Sequence, residues 1–190
     1  LLLLVVGLLV ALYFIANPNL PAYQQPDKLH YLDQWSEEER QTYYYTPQGT
    51  QVKGLRYEWF NALELPFSSS KFATPDYLAR FGFLIDPAQQ PTQLNPGNLP
   101  VGFAQHEDAE TGEHYLDISC AACHTGELRY KGQAVRIDGG AALHSLASTV
   151  PTLRGGSFGQ ALGMSMALTY YNPLKFRRFA KQVLGDEYDS

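Results

Sequence analysis

The sequence lacks a surplus of basic side chains. Its 190 residues include 14 lysines and arginines against 19 aspartates and glutamates, which gives a formal net charge of −5. Proteins that bind a phosphate backbone show the opposite imbalance, because lysine and arginine contacts supply most of that affinity. We therefore expect no nucleic acid among the partners.

The sequence also lacks internal repeats and the length for a second full domain. Hydrophobic residues make up 45% of the chain, which includes 13 tyrosines and 10 phenylalanines. This composition is typical of a folded protein whose aromatic side chains can cover a large, flat cofactor.

One long hydrophobic run is present, at residues 1–16, and it contains no charge, no side-chain amide and no proline. A helix of this length extends for about 24 Å, whereas a bilayer crossing needs roughly 20 residues. Because the sequence does not begin with Met, we expect a transmembrane anchor that is incomplete at its N-terminus. The alternative is a cleaved signal peptide that ends near Ala16. Residues 17–27 contain three prolines and are expected to form an extended linker.

Local patterns predict several elements beyond the linker. Ser36 and Glu39 have the spacing of a capping box at the start of a helix that reaches about residue 45. A second short helix is expected before Pro66, and residues 66–114 are expected to form a long ordered loop.

The last part of the sequence predicts a hairpin and two helices. Lys131 and Gly132 separate two segments with strand character, the spacing of a tight β-hairpin. One helix is expected over residues 159–170, and Asn172 with Pro173 should begin another, whose lysines and arginines face solvent.

Both cysteines of the chain lie in one motif, Cys120-Ala121-Ala122-Cys123-His124. This is the spacing of c-type haem attachment, in which each thiol binds one vinyl group and the histidine ligates the iron. The sequence therefore predicts one covalently bound haem c. Cys120, Cys123 and His124 are expected to bind this cofactor, with His124 as the iron ligand.

Three other interpretations of the motif are less well supported. Two buried free thiols beside an unrelated histidine would explain the residues but not their spacing. A thioredoxin-like dithiol would need a βαβ setting, and structural zinc would need a fourth ligand with Cys123 and His124 converging on one small ion.

The sixth iron position stays open. Met164, Met166 and His144 are candidates, as is a site without a side-chain ligand. The methionines are expected in a helix core, and His144 on the surface or beside the ligand shell. Three further histidines lie in polar stretches and are weaker candidates: His30, His106 and His114. Arginine side chains could pair with the haem propionates: Arg129, Arg136 and Arg154.

An ordered series of aromatic and glycine blocks resembles the N-terminal haem half of the di-haem cytochrome c peroxidase-like proteins, in particular their rubber-oxygenase-like branch. The blocks are residues 44–50, 55–60, 99–103, 120–126 and 136–140. The resemblance implies two cooperating haems, with Cys120, Cys123 and His124 in the attachment and proximal-ligand roles. Since no second C-x-x-C-H is present, either a second haem half follows Ser190 or the chain is a mono-haem relative.

Together these observations predict a mainly α fold. A c-type cytochrome-like haem domain over residues 28–190, with long ordered loops and a small β-hairpin, would follow the linker and the N-terminal transmembrane helix. We expect a membrane-anchored c-type cytochrome in the bacterial inner membrane, with its haem domain in the periplasm. It would transfer single electrons to redox partner proteins as a subunit of a membrane complex. The alternatives are the N-terminal haem half of a di-haem peroxidase- or oxygenase-like enzyme, and an accessory subunit whose haem is structural.

Overall fold

The computed structural model describes residues 2–16, 23–32, 34–87, 90–144 and 157–189. The chain divides into two compact units. One comprises Leu1–Pro21, Asn61–Ala73 and Ser145–Ser190, and the other comprises Ala22–Phe60 and Thr74–His144. We refer to them as the terminal unit and the motif unit.

The described elements follow one another in this order: α1 Leu2–Ala16, β1 Lys28–Tyr31, α2 Glu37–Tyr45, a 3₁₀ helix Gln51–Gly54, α3 Tyr57–Ala62, α4 Pro75–Ala79, β2 Phe103–Glu107, β3 His114–Ile118, α5 Cys120–His124, β4 Thr125–Tyr130, β5 Gln133–Asp138, α6 Phe158–Tyr171, α7 Pro173–Leu184 and a 3₁₀ helix Gly185–Asp189.

The motif unit contains two sheets. In the first, β5 lies between β1 and β4, antiparallel to β4 and parallel to β1. The turn between β4 and β5 has positive φ angles at both Lys131 and Gly132, as a tight two-residue hairpin turn requires. This confirms the predicted hairpin. The second sheet pairs β2 with β3 in antiparallel register.

Aromatic side chains form much of the core of the motif unit. Tyr44 and Tyr45, at the end of α2, are almost completely buried. Phe103 of β2 stacks on Phe60 at 5.9 Å between ring centroids, and Phe83 contacts it edge-on at 4.6 Å. The capping box at the start of α2 is present, because Ser36 and Glu39 bond each other's backbone amides.

In the terminal unit, α6 and α7 pack around the segment that contains Glu64. The ammonium of Lys175 in α7 donates to the Glu64 carboxylate at 3.1 Å and to the carbonyls of Leu65 and Ser68. The expectation that the basic residues of α7 all face solvent is therefore wrong for Lys175, which is 6% exposed. Phe176 of the same helix is 49% exposed.

The predicted mainly α fold with one small hairpin is wrong. Within the described residues, five strands in two sheets accompany the helices. β2 and β3 were not predicted from the sequence because of the turn that joins them, residues 108–113. In this turn the Asp108 carboxylate accepts hydrogen bonds from the amides of Glu110 and Thr111. Such a turn lacks the short dipeptide signature of a tight hairpin. β1 was missed because it has four residues and pairs with a strand about one hundred residues away.

The predicted N-terminal transmembrane helix is also wrong. α1 has fifteen residues, and within the described segments every helix is too short or too polar to cross a membrane. The physical reason is length, because the hydrocarbon core of a bilayer needs roughly 20 residues of helix. The predicted location in the inner membrane, with the haem domain in the periplasm, depended on this helix and is therefore also wrong. Residues 17–22 of the predicted linker lie outside the described residues.

Candidate cofactor-attachment site

The C-x-x-C-H motif forms a single helical turn, α5, between strands of different sheets, β3 and β4. Ser119 caps its start, because its side-chain oxygen accepts from the amide of Ala121 at 3.2 Å. The Ser119 hydroxyl also donates to the carbonyl of Tyr44 at 2.7 Å, and its amide donates to the carbonyl of Gly102 at 2.9 Å. The start of the turn is therefore anchored to the end of α2 and to the loop before β2.

The motif has an inner and an outer face. Ala121 and Ala122 are each 2% exposed, whereas Cys120, Cys123 and His124 are exposed. Residues at positions i, i+3 and i+4 of a helix share one face. Both thiols are free, so the structure presents two thiols and one imidazole on the same open side of the turn. Covalent haem attachment with an iron ligand from the same motif requires such an arrangement, and these residues fit it.

The inner face of the turn lies against closely approaching backbone. Gly102 has φ +96°, and a methyl group added there would lie 2.4 Å from the Cα atom of Ala122. At Gly126 an added methyl group would lie 2.7 Å from the carbonyl oxygen of Ala141. Gly102 needs glycine because no side chain fits between it and Ala122 of the turn, and Gly126 needs glycine because the segment after β5 passes close to β4.

The C-terminal end of the turn is held by backbone groups from the segment after β5. The amide of Ala142 donates to the carbonyl of Cys123 at 3.1 Å, and the amide of Gly139 donates to the carbonyl of His124 at 2.7 Å. The last carbonyls of a helix have no partners within the helix, so these bonds satisfy groups that would otherwise need water.

Two side chains also bind carbonyls of this turn, those of His124 and Ala122. The hydroxyl of Tyr43 donates to the carbonyl of His124 at 2.7 Å. The ring of His144 stacks on Phe83 at 4.9 Å between centroids, and its Nε2 contacts the carbonyl of Ala122. Tyr43 was not singled out from the sequence, because it lies 81 residues before His124.

An aromatic surface adjoins Tyr43. Its ring meets that of Trp35 edge-on at 5.1 Å, and the two line a groove of about 430 Å³ together with α2 residues: Glu38, Glu39 and Thr42. Burial raises the pKa of Tyr43 and outweighs the hydrogen bonds of Thr125 and Gly139, which lower it. The Tyr43 hydroxyl is therefore kept protonated, as a hydrogen-bond donor to His124 must be.

The arginines considered for haem propionates have protein partners instead. Arg136 is 1% exposed and donates to the Glu127 carboxylate, and Arg129 pairs with the other oxygen of the same carboxylate at 2.6 Å. Arg154 lies outside the described residues.

The candidate sixth ligands are distributed as follows. His144 lies beside the motif but bonds its backbone, as described above. Met164 and Met166 lie in α6 of the terminal unit, where Met164 is half-buried and Met166 is 43% exposed, so the expectation of core packing is wrong for Met166.

The sequence predicted metal binding through His124, and for metal binding by protein side chains alone this prediction is wrong. Within the segments that the structure describes, no group of three or more His, Cys, Asp and Glu side chains could hold a metal ion. A haem iron differs from such a site, because the porphyrin supplies four ligands and the protein needs to supply only one or two.

Several blocks that carry the family resemblance meet at the motif. The carbonyl of Tyr44 accepts bonds from both Ser119 and Gly102, and Gly139 bonds the carbonyl of His124. Residues that lie up to about 95 positions apart in the sequence thus surround one helical turn.

Comparison with known proteins identifies one informative relative. The chain is 36% identical over 200 residues to the uncharacterized protein y4iJ of Sinorhizobium fredii (strain NBRC 101917 / NGR234), a similarity that covers 94% of this chain and 31% of that protein. The chain therefore spans less than a third of the length of this relative. No family model matches the sequence, and no solved structure matches it. Because the relative is uncharacterized, haem attachment, electron transfer and the resemblance to di-haem peroxidases stay predictions.

Proposed function

We propose that the chain binds one haem c covalently through Cys120 and Cys123 and transfers single electrons to or from a redox partner protein. The observation that carries this proposal is the division of α5 into two faces. Both thiols and the His124 imidazole are exposed on one side, and Ala121 and Ala122 are buried on the other.

Each residue of the motif has a separate role in this proposal. Cys120 and Cys123 provide the covalent attachment, and His124 provides the proximal nitrogen ligand. Haem c, when bound, supplies one-electron redox chemistry. Hydrogen bonds from the surrounding segments hold the turn that carries these three side chains.

A second candidate function is the N-terminal haem half of a di-haem peroxidase- or oxygenase-like enzyme. The meeting of the resemblance blocks at the motif favours it, through the bonds of Tyr44, Gly102 and Gly139. The two functions differ at the distal side, because a catalytic haem must admit peroxide or dioxygen and a carrier need not.

Haem staining after denaturing electrophoresis tests the attachment. The chain is produced in a host that attaches haem c, and we expect the stain to remain with the denatured polypeptide. The variant with both Cys120→Ala and Cys123→Ala should lose it. Haem that leaves the wild-type chain in acidified organic solvent, or that stays with the double variant, would contradict the proposal.

The His124→Ala variant separates attachment from ligation. We expect it to keep much of its covalent haem, because the thioether bonds do not involve the imidazole, and to lose the native redox couple. An unchanged midpoint potential in this variant would exclude His124 as the proximal ligand.

A further inference from the structure

The direction of the His124 side chain depends on contacts from outside its own helix. α5 has only five residues, so few of its carbonyls can find a bond within the helix. The carbonyls of its last three residues are all bound by groups from other segments. Two of these groups are side chains, Tyr43 and His144, which can be substituted without removing the backbone amides of Gly139 and Ala142 that bind the same turn.

Tyr43, whose hydroxyl binds the carbonyl of His124, is itself held in place by its neighbours. It lies on α2, whose first turn is fixed by the capping box between Ser36 and Glu39. Its ring is held by Trp35, and its hydroxyl reaches the His124 carbonyl at 2.7 Å. His124 thus accepts this hydrogen bond through its carbonyl and would ligate the iron through its imidazole. Removal of the bond therefore affects the proposed iron ligand directly.

His144 supports the turn two residues earlier. A carbonyl can only accept a hydrogen bond, so the Nε2 atom that contacts the Ala122 carbonyl must carry the hydrogen. The other ring nitrogen, Nδ1, is buried and has no hydrogen-bond partner among the described residues. Stacking on Phe83 fixes the plane of the ring. Neither nitrogen is directed to the exposed face where Cys120 and Cys123 lie.

We propose that Tyr43 and His144 are positioning residues that fix the direction of the His124 imidazole by binding the carbonyls of His124 and Ala122. The proposal rests on the proposed haem function and names what orients its proximal ligand. In this role His144 binds the turn from its buried side, so it does not occupy the sixth iron position. When either side chain is lost, the amides of Gly139 and Ala142 still hold the end of the turn, but one of its fixed contacts is gone, so the His124 imidazole would meet the iron of a bound haem in a less defined direction.

The test uses the haem-loaded chain, four single variants and a double variant that combines Tyr43→Phe with His144→Phe. Tyr43→Phe removes one hydroxyl, and His144→Phe keeps an aromatic ring against Phe83 but removes the donor. His144→Gln restores a donor, and Tyr115→Phe is the matched control, because the Tyr115 hydroxyl donates to Glu113 at 2.7 Å in β3 of the same unit. The measurements are the electron paramagnetic resonance g values of the oxidised protein, which depend on the axial ligands, and the midpoint potential.

We expect unchanged covalent haem content throughout. Tyr43→Phe and His144→Phe should each shift the g values and the midpoint potential, and the double variant should shift both quantities further. His144→Gln should give g values and a potential closer to those of the wild type than His144→Phe does. Tyr115→Phe should leave both quantities unaltered. A double variant with wild-type g values and potential would overturn the inference while leaving haem attachment intact. A lowered unfolding temperature with unaltered g values would do the same, because it would show a purely structural role. A wild-type chain without covalent haem would overturn both proposals.

Discussion

The carboxylate of Glu127 accepts two hydrogen bonds from the guanidinium of Arg136, from Nη2 at 2.6 Å and from Nε at 3.1 Å. The two residues face each other across β4 and β5, and both side chains are almost completely buried. Because β4 begins directly after His124, this ion pair holds the strand that leaves the attachment motif.

Glu127→Gln should destabilise the protein by about 3 kcal/mol, because removal of one partner leaves a buried guanidinium without a compensating charge. Urea unfolding measures this loss. Glu113→Gln is the control, since its partner Arg56 is more than a third exposed and such pairs contribute at most about 1 kcal/mol. Equal losses in the two variants would contradict the assignment of Glu127 and Arg136 as a buried structural pair.

Gly102→Ala should damage the attachment site. The residue has φ +96°, and its new methyl group would lie 2.4 Å from the Cα atom of Ala122, so left-handed strain adds to overpacking for a loss of about 3 kcal/mol. Gly112→Ala is the matched control, because φ is +67° there and the space is open, which leaves a cost of about 1 kcal/mol. Chemical unfolding and the yield of covalent haem should both separate the variants. If they behave alike, the backbone does not approach Ala122 as closely as described.

Local sequence signals predicted the elements that depend on neighbouring residues. The capping box at Ser36, the hairpin turn at Lys131 and the helix start at Asn172 are confirmed, because each needs only bonds within a few positions. The C-x-x-C-H motif belongs to the same class, since one helical turn brings its side chains to one face.

The features that were missed depend on residues far apart in the sequence. The helical pattern predicts that Lys175 lies on an exposed face, but its ammonium is buried in a hydrogen bond with Glu64, 111 residues earlier. His144 was expected on the surface or beside the ligand shell, but its contact with the carbonyl of Ala122 was not predicted. No periodicity or spacing within one segment encodes these contacts, so the residues that support the site could not be identified from the motif that forms it.

Glu64 should make stability depend on pH in the acidic range. Hydrogen bonds from Arg178, at 2.6 and 2.7 Å, and then from Lys175, lower the pKa of this carboxyl from 4.5 to about 2, although burial opposes the shift. Because the folded-state pKa lies below the unfolded value, the stabilisation is fully present above about pH 4.5. It is lost as the pH falls from there through 2, and it amounts to about 3 kcal/mol.

The free energy of unfolding of the wild-type chain and of Glu64→Gln, measured between pH 7 and pH 2, tests this dependence. Other carboxylates titrate in both proteins, so the difference between the two curves isolates Glu64. We expect this difference to shrink as the pH falls. A constant difference would show that the charge of Glu64 does not contribute.

The last prediction concerns the sixth iron position of the haem-loaded chain. His144 contacts the carbonyl of Ala122, and the resemblance to the di-haem proteins implies an accessible distal side, so we expect no strong side-chain ligand from Met164, Met166 or His144. Carbon monoxide should therefore shift the optical spectrum of the reduced protein. Met164→Leu and Met166→Leu should leave the spectra of both oxidation states unaltered, because neither side chain ligates the iron. If carbon monoxide fails to bind and one methionine substitution removes an absorption band of the oxidised protein, that methionine is the sixth ligand, and the enzyme alternative loses the open distal side on which it depends.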